Sequence, residues 1–336
     1  MQTLTKTMKA MTIIDFGDTS VFKKSEMPKP DLKNAETCHG KSILVKVYAT
    51  SANPVDYKIR KGLFGDMFKP PVILGFDVSG IVEAVGDKVT DLKCGDEVYY
   101  MPRINGTPGA YAEYHLAEEE IISKKPRNIS HEEAASFPLA CGTAWDALID
   151  RTKIKIGETI LIHAGAGGVG SYAIQLAKLC GCFVYTTCSP KNFDLVKKLG
   201  ADKVIDYKKE DFVEVIRKET NNKGVDVIFD TVGGETLTKS IDAAKSFGRI
   251  ASIVRVGASL EKAYLKNISL HFVFVQSNRQ KMDIIRDLIE RGQLKPVIDS
   301  VLPLQDASKA HEKLEAGGAR GKIVLKVAIS QESNKY

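Results

Sequence analysis

A glycine-rich turn within residues 159–170, TILIHAGAGGVG, constrains this chain more than any other segment. An apolar run ends there in Gly165, Gly167 and Gly170, a G-x-G-x-x-G spacing, and a helical pattern follows. This spacing between a strand and a helix is typical of a βαβ unit that binds a dinucleotide. We therefore predict a nucleotide-binding chain, although the spacing by itself would also fit a plain glycine-rich turn.

Each glycine of this fingerprint has a predicted role. Gly165 would make the tight turn after the strand, Gly167 would let the backbone approach a pyrophosphate, and Gly170 would let the helix pack closely on the strand. The helix is expected to begin near Val169, beside Gly168. Its unpaired N–H groups and positive dipole end would bind the negative charge of the ligand.

Strand and helix patterns predict an α/β fold with two domains. Helix and strand alternate from about residue 131 to 275, which indicates right-handed crossovers and a parallel sheet. The strands of that sheet beyond the fingerprint are predicted at 183–187, 203–206, 225–230 and 249–254, with a helix at 171–179. Residues 132–276 should therefore form a Rossmann-type, doubly wound parallel sheet that binds the dinucleotide.

The rest of the chain predicts a second, β-rich domain. Short β-rich runs at 43–48, 78–85, 97–101 and 110–116 are interrupted by glycines, as in a compact, mostly antiparallel domain. After residue 277 the predicted elements are a helix at 282–291, a strand at 297–301, a helix at 307–314 and a strand at 322–327. These should return to complete the first domain, so residues 1–131 and 277–336 form one unit.

The loop after the second predicted strand indicates which nucleotide binds. An NAD-selective site places an acid there to bind the ribose 2′-OH, but this chain has TCSPKN at 187–192. Ser189 and the basic Lys191 suit a 2′-phosphate, so NADP(H) is favoured over NAD(H). Tyr207, after the third strand, would add a phenolic hydrogen bond. The alternative interpretation of Lys191 is an ordinary surface lysine.

Composition excludes some functions and favours others. The chain has 336 residues, 43% of them hydrophobic, and no apolar run of membrane-spanning length, so a soluble globular protein is expected. The net charge of +6 is spread along the sequence, which favours anionic small ligands and does not indicate nucleic acid. The six cysteines lack C-x-x-C pairs and are predicted to be reduced. With no export pattern, a cytoplasmic location is expected.

Several segments resemble the medium-chain dehydrogenase/reductase superfamily, and within it the zinc-independent quinone oxidoreductase and alkenal/enone reductase branch. The segments are NPVDYKIRKG at 53–62, LGFDVSG at 74–80, VG at 85–86, CGDEVY at 94–99, GAYAEY at 109–114, AGAGGVG at 164–170, LGAD at 199–202, IDY at 205–207 and GKIV at 321–324. The resemblance covers nearly the whole chain. It implies a GroES-like β-domain beside the Rossmann domain and, by analogy with relatives, a homodimer.

The resemblance also predicts that no metal is bound. Zinc-dependent members of the superfamily carry a Gly-His-Glu motif and a cysteine that together ligate the ion. Here Gly75 is followed by Phe76, whose ring has no lone pair to donate, and Asn53 takes the place of the cysteine. A catalytic zinc site needs three protein ligands, and these substitutions remove two of them.

The family further implies which residues face the reaction. Asn53 is expected to contact the cofactor or the substrate through its amide, and Tyr57 to shape the pocket. Lys58 and Tyr99 are predicted to donate hydrogen bonds to the substrate oxygen, and Thr143 to lie near the nicotinamide. The alternatives are a solvated lysine at Lys58, a packed strand aromatic at Tyr99 and an ordinary helix N-terminal hydroxyl at Thr143.

The implied activity is NADPH-dependent reduction of a quinone or an α,β-unsaturated carbonyl, either an enal or an enone. Hydride would pass to the electron-poor alkene carbon while donors at the carbonyl oxygen stabilise the enolate, so no metal is needed. Two alternatives stay open: a reductase of 2-enoyl thioesters, and an NADPH-binding protein with a non-catalytic role such as RNA binding. The expected partner is a small molecule, with neither a membrane nor nucleic acid indicated.

Overall fold

The computed structural model describes residues 7–32, 40–254 and 259–327. The chain divides into two compact units. The first is Met1–Leu139 with Ser277–Gly292 and Ile298–Tyr336, and the second is Ala140–Gln276 with Gln293–Val297. The sequence predicted the first boundary at residues 131 and 132. The unit boundary falls later than that, and residues 293–297 join the second unit.

Strands and helices are numbered in chain order. The strands are β1 Thr7–Ile13, β2 Phe22–Pro28, β3 Ser42–Ala52, β4 Val72–Ile73, β5 Val78–Val85, β6 Glu97–Tyr100, β7 Tyr114–Glu118, β8 Ser123–Lys124, β9 Thr159–Ile162, β10 Phe183–Cys188, β11 Lys203–Asp206, β12 Val225–Asp230, β13 Ala244–Ser252, β14 Ser269–Phe272, β15 Ile298–Pro303 and β16 Lys322–Lys326. The α-helices are α1 Pro54–Arg60, α2 His131–Ala134, α3 Pro138–Trp145, α4 Gly168–Leu179, α5 Phe193–Lys198, α6 Phe212–Glu219, α7 Glu235–Ala243, α8 Glu261–Leu265, α9 Arg279–Glu290 and α10 Ala307–Glu315.

The first unit is built on a seven-stranded sheet in the order β15-β16-β3-β5-β6-β8, with β7 also paired to β3. Its pairings are antiparallel except for β15 with β16. Alternate residues of β3, namely Ile43, Val45 and Val47, are fully buried in one hydrophobic cluster with Val78 and Val98 of the next two strands. A smaller sheet has the order β2-β1-β4. The predicted antiparallel domain completed by C-terminal strands is therefore confirmed.

The second unit is built on a six-stranded parallel sheet in the order β11-β10-β9-β12-β13-β14. The order reverses between β9 and β12, and in such sheets the ligand lies outside the carboxyl ends of the strands at this reversal. Leu161, Ile228 and Ile250, one from each of the three central strands, are fully buried in the core beneath the helices. The predicted Rossmann-type sheet is confirmed.

Two predicted strands begin several residues away from their predicted starts. The run at 110–116 becomes β7, Tyr114–Glu118, because Ala110 and Tyr111 bond irregularly to the backbone around Gly75. The strand predicted at 249–254 begins earlier, because a bulge in β13 pairs Ala244 with the start of β12. The sequence analysis also missed β1, β2, β4, β8 and β14.

Two further findings concern the cysteines and the length of the helices in the described residues. The described cysteines, at positions 94, 141, 180, 182 and 188, form no disulfide, as predicted, and Cys38 lies outside the described residues. Within residues 7–32, 40–254 and 259–327, none of the helices combines the length and the apolar character that crossing a bilayer requires.

Candidate functional site

The fingerprint turn joins β9 to α4, as predicted. Gly167 is the N-cap residue of α4 and has extended backbone angles, with φ of −78° and ψ of 174°. A Cβ atom at Gly167 would meet only the carbonyl oxygen of Ala164, at 3.3 Å. Among the described residues no side chain caps the helix and no acid lies in its first turn, so the N–H groups of Gly168 and Val169 are available to an anion. This open backbone fits a pyrophosphate.

The other two fingerprint glycines are needed for packing. A Cβ atom at Gly165 would lie 2.0 Å from Oγ1 of Thr186, and one at Gly170 would lie 2.4 Å from the carbonyl oxygen of Ala164. The left-handed residue of the turn is not a glycine but Ala164, with φ of 50°. The sequence did not predict this conformation, which few residues other than glycine adopt.

His163 holds the fingerprint turn against α7 through a directed chain of hydrogen bonds. The backbone N–H of Ala164 donates to Oγ1 of Thr187 at 3.1 Å, and that oxygen lies 3.3 Å from Nδ1 of His163. On the other side, Nε2 of His163 lies 2.9 Å from Oγ of Ser240, which donates to the carbonyl oxygen of Thr236 at 2.7 Å. The chain is complete when Nε2 of His163 carries the proton.

The environment of His163 keeps its ring neutral. The side chain is buried, and burial lowers its pKa to about 4, partly opposed by the carboxylate of Asp230. The sequence predicted a packed strand-end residue here, and the structure agrees. Because both ring nitrogens are engaged within the protein, the geometry favours a role for His163 in supporting the turn over a role as a ligand.

A cavity of about 660 Å³ opens beside the fingerprint turn. It is lined by His163, Ala164, Thr187, Tyr207, Lys208, Lys209, Glu210, Asp211, Phe212, Val232, Glu235, Thr236 and Lys239. Most of these residues are charged or polar, and three of them are lysines, Lys208, Lys209 and Lys239, which suits a ligand that carries negative charge. Tyr207, predicted to contact a 2′-phosphate, is 57% exposed and lines this cavity.

The strand ends bring the predicted 2′-phosphate residues to one edge of the sheet. Cys188 of β10 pairs with Asp206 of β11, so Ser189 and Tyr207 follow the ends of neighbouring strands. Ser189 is half-buried at the start of the short 3₁₀ helix Pro190–Asn192, and Lys191 is exposed. Ser189 and Lys191 do not line the cavity that contains Tyr207.

In the first unit, Asn53 is buried and uses its whole amide inside the protein. Its Nδ2 atom donates to Oδ2 of Asp77 at 2.7 Å and to the carbonyl oxygen of Ser51 at 3.3 Å. Its Oδ1 atom accepts from the ammonium of Lys322. Both amide hydrogens are therefore committed, so the geometry favours a supporting role for Asn53 over the predicted direct contact with cofactor or substrate.

Asp56, on the first turn of α1, is a second buried polar centre. It accepts from the backbone N–H groups of Asn53 and Gly75 at 2.7 and 3.0 Å, and lies 3.3 Å from the hydroxyl of Tyr111. Burial raises the pKa of its carboxyl to about 7. The hydroxyl of Tyr111 also lies 3.2 Å from Nε2 of His311. These contacts fix where α1 begins.

Lys58 and Tyr57 follow on the same helix. The Lys58 side chain is half-buried, and burial lowers the pKa of its ammonium. Among the residues that the structure describes, this ammonium has neither an ion pair nor a hydrogen bond. Tyr57 is also half-buried, which raises its pKa, and the ammonium of Lys61 lies 5.6 Å from its ring centroid. A partly desolvated cation without a partner suits an anionic or carbonyl oxygen.

The remaining predicted residues lie in buried positions. Tyr99 is fully buried on β6, and its hydroxyl donates to the carbonyl oxygen of Met282 at 2.6 Å. This contact favours the packing interpretation of Tyr99 over donation to a substrate. Thr143 is 5% exposed within α3 of the second unit. Its placement near a nicotinamide stays a prediction.

The sequence analysis did not single out Asp56, Asp77 or Lys322 as functional. All three are buried charged residues of the first unit. The sequence feature that could have indicated them is a charged residue inside an apolar stretch, as in LGFDVSG and GKIVL. Such residues are expensive to bury unless they are paired, so their positions could have indicated a polar cluster.

The donor set does not fit a catalytic zinc ion. Within the described residues, no group of three or more His, Cys, Asp or Glu side chains could hold a metal. Phe76 is fully buried and packs on Phe68 with the ring centroids 6.3 Å apart. Asn53 Oδ1 faces an ammonium group. We therefore derive no step of the chemistry through a metal.

A Rossmann sheet with an open glycine turn, carried in one chain with an antiparallel β-domain, defines a dinucleotide-dependent oxidoreductase. Family models described as "Alcohol dehydrogenase GroES-like domain" and "Zinc-binding dehydrogenase" match residues 39–127 and 199–325. The chain is 38% identical to 2-methylene-furan-3-one reductase of Solanum lycopersicum over 95% of this chain and 79% of the relative. It is 37% identical to the chloroplastic NADPH-dependent alkenal/one oxidoreductase of Arabidopsis thaliana over 95% and 80%.

A solved structure gives the same result. The quinone oxidoreductase from Coxiella burnetii superimposes with a TM-score of 0.86 at 37% sequence identity, over 96% of this chain and 100% of that one. The chain belongs to the medium-chain dehydrogenase/reductase superfamily, in its quinone oxidoreductase and alkenal/enone reductase branch.

Proposed function

We propose that this protein is an NADPH-dependent reductase of quinones or of conjugated enals and enones. The observation that carries the proposal is the glycine turn at Gly167, where the start of α4 has N–H groups without a side-chain cap and a cavity of about 660 Å³ opens beside His163 and Ala164. Family membership supports the same activity, because relatives at 37 to 38% identity are named as reductases of this kind.

The residues that follow two strands of the parallel sheet support a preference for NADPH. Ser189 and Lys191 follow β10, where an NAD-selective site would have an acid, and Tyr207 follows β11. The acid that ends β11, Asp206, accepts the backbone N–H of Lys208 at 3.1 Å within its own turn. A hydroxyl and a lysine would therefore meet the 2′-phosphate while this carboxylate is engaged elsewhere.

Lys58 is proposed as the residue that acts on the substrate. A nicotinamide cofactor supplies a hydride when it is bound. Reduction of a conjugated carbonyl then builds negative charge on the carbonyl oxygen, and the half-buried ammonium of Lys58 can donate a hydrogen bond to that oxygen. Because burial has lowered its pKa, the same group can give up a proton as the charge develops. Tyr57 would form the adjacent wall.

Two finer features belong to the proposal. We infer that the reaction proceeds without zinc, because Phe76 and the committed amide of Asn53 supply no ligand. We also propose a homodimer. Its support is that β14 is an edge strand of the parallel sheet and is followed by Phe274, which is 53% exposed.

The test offers NADPH with a quinone, a 2-alkenal and a 2-enoyl thioester in parallel and follows loss of NADPH absorbance. We expect oxidation of NADPH with the quinone or the alkenal, and slower oxidation with NADH. Turnover of the thioester alone would favour the enoyl reductase alternative. If NADPH binds but none of the three substrates is reduced, the catalytic proposal is wrong and the alternative of a non-catalytic NADPH-binding protein is favoured.

A further inference from the structure

Three strands of the first unit bring a buried polar cluster to one end of the seven-stranded sheet. Lys322 begins β16, and the antiparallel register of β16 with β3 places it beside Asn53. Asp77 directly precedes β5, on the other side of β3. We call Ser51, Asn53, Asp77 and Lys322 the lysine cluster.

The ammonium of Lys322 is fully engaged within this cluster. It donates to Oδ1 of Asn53, and it lies 3.3 Å from Oδ2 of Asp77 and 3.4 Å from the carbonyl oxygen of Ala52. The side chains of Lys322 and Asp77 are 3% and 0% exposed. Three partners for three N–H donors hold the cation at one place, away from water.

The Lys322–Asp77 pair determines how the amide of Asn53 is oriented. The amide oxygen faces the ammonium, and the amide nitrogen faces the carboxylate at 2.7 Å. A flipped amide would bring its hydrogens against the ammonium and its oxygen against the carboxylate. Asp77 is itself fixed, because the backbone N–H of Leu139 donates to its other oxygen at 2.7 Å. The cluster therefore allows one orientation of Asn53.

Asn53 links this cluster to α1, because it is the N-cap residue of that helix and its backbone bonds to the first turn. Its backbone N–H donates to Oδ2 of Asp56 at 2.7 Å, and the N–H of Asp56 donates back to its carbonyl oxygen at 3.0 Å. The same carboxylate accepts the N–H of Gly75 at 3.0 Å. The first turn of α1 is thus anchored on two sides, and Lys58 lies directly after it.

We propose that Lys322 is a positioning residue for the reduction: its ammonium fixes Asn53 and, through the first turn of α1, sets Lys58 against the substrate oxygen. This inference rests on the proposed function. Loss of the ammonium would leave Oδ1 of Asn53 without its partner and free the amide to turn. A misplacement of about 1 Å at a catalytic group can cost about a hundredfold in rate.

The test compares three variants with the wild-type protein. Lys322→Met removes the ammonium, and Lys322→Met with Asp77→Asn removes both charges, so that no unpaired carboxylate remains buried. Lys326→Met, on the same strand but exposed, is the matched control. Turnover of a 2-alkenal or quinone is expressed per NADPH-binding site, so that an unfolded fraction does not enter the rate.

We expect kcat to fall by about ten- to a hundredfold in both Lys322 variants, with the KM for NADPH unchanged and the Lys326 variant like wild type. Wild-type kcat in the double variant would overturn the proposal, because it would show that Lys322 only neutralises Asp77. Unfolding of both Lys322 variants would also overturn the proposal, because it would show that Lys322 is required for folding. If the wild-type protein itself reduces no substrate, the proposed function has failed instead.

Discussion

The ring of His163 joins the fingerprint turn to α7, with its Nε2 atom 2.9 Å from Oγ of Ser240. Burial lowers the pKa of His163 to about 4, below its usual 6.5. The stability that this neutral ring contributes is complete above pH 6.5 and is lost as the pH falls toward 4, because the unfolded chain binds the proton first.

We therefore predict that the free energy of unfolding of the second unit falls by about 2 to 3 kcal/mol between pH 6.5 and 4 through His163. The only tryptophan of the chain, Trp145, lies in that unit, so urea unfolding followed by its fluorescence makes the measurement. His163→Gln keeps a donor toward Ser240 and should show a shallower dependence. Equal slopes for the two proteins would contradict the assignment.

Substitutions at Gly167 and Gly170 should distinguish an effect on NADPH binding from an effect on stability. Gly167→Ala adds a Cβ atom that meets the oxygen of Ala164 at 3.3 Å, a tight contact that a small backbone shift relieves, so this variant should lose less stability than Gly170→Ala. If the pyrophosphate binds at this turn as proposed, the added methyl group takes up part of its space, and NADPH affinity should fall about tenfold or more.

Gly170→Ala serves as the matched variant. Its Cβ atom would lie 2.4 Å from the oxygen of Ala164, and we expect a loss of about 1 to 3 kcal/mol in stability. Calorimetric melting and NADPH titration of both variants make the comparison. Undiminished NADPH binding by the Gly167 variant would show that the pyrophosphate does not bind at this turn.

Lys191→Ala should weaken NADPH selectively. Loss of one charge-assisted contact to the 2′-phosphate is worth about 1 to 2 kcal/mol, so the KM for NADPH should rise about five- to thirtyfold while that for NADH stays the same. Lys198→Ala, at the exposed end of α5, is the control. An equal effect on both cofactors would show that Lys191 does not contact the phosphate.

Lys58→Met should slow turnover more than it weakens cofactor binding. If the ammonium supports the developing enolate, its removal raises the barrier by about 2 to 4 kcal/mol with the KM for NADPH unchanged. Lys61→Met, further along the chain and paired with Glu315, should behave like wild type. Steady-state rates with a 2-alkenal test this prediction. An unchanged kcat would show that Lys58 is an ordinary solvated lysine.

Purified protein should contain no stoichiometric zinc. The family model that matches residues 199–325 is described as a zinc-binding dehydrogenase, yet Phe76 and Asn53 supply no ligand here. Metal analysis of the protein, and assays after treatment with a chelator, should give no bound metal and full activity. Zinc at one ion per chain together with chelator-sensitive turnover would refute the metal-free mechanism.

The sequence predicted the architecture because the fold depends on patterns that are local in the chain. The glycine spacing at 165, 167 and 170 and the apolar runs of the central strands placed β9, α4 and the parallel sheet correctly. Predictions were weaker where contacts between distant segments decide the structure. The backbone N–H of Ala110 donates to the carbonyl oxygen of Gly75, and that of Tyr111 donates to the carbonyl oxygen of Leu74. No local pattern indicates such partners, so the start of β7 was predicted too early.

The candidate site was predicted less completely than the fold. Spacing indicated the fingerprint glycines and the family resemblance indicated Lys58, and the structure leaves the Lys58 ammonium without a partner among the described residues. The same reasoning could not tell that the hydroxyl of Tyr99 is committed to Met282, because that contact joins residues far apart in the chain. For the same reason, the partners of Asn53 emerged only from the folded sheet.

The most direct test of the proposed reduction follows the transfer of deuterium from the cofactor to the product. Metal-depleted protein is given NADPH deuterated at nicotinamide C4 together with an α,β-unsaturated ketone, and the product is examined by NMR. We expect a saturated ketone with deuterium on the carbon β to the carbonyl, because hydride passes to the activated double bond. An allylic alcohol with deuterium on the former carbonyl carbon, or no deuterium transfer without added zinc, would contradict it.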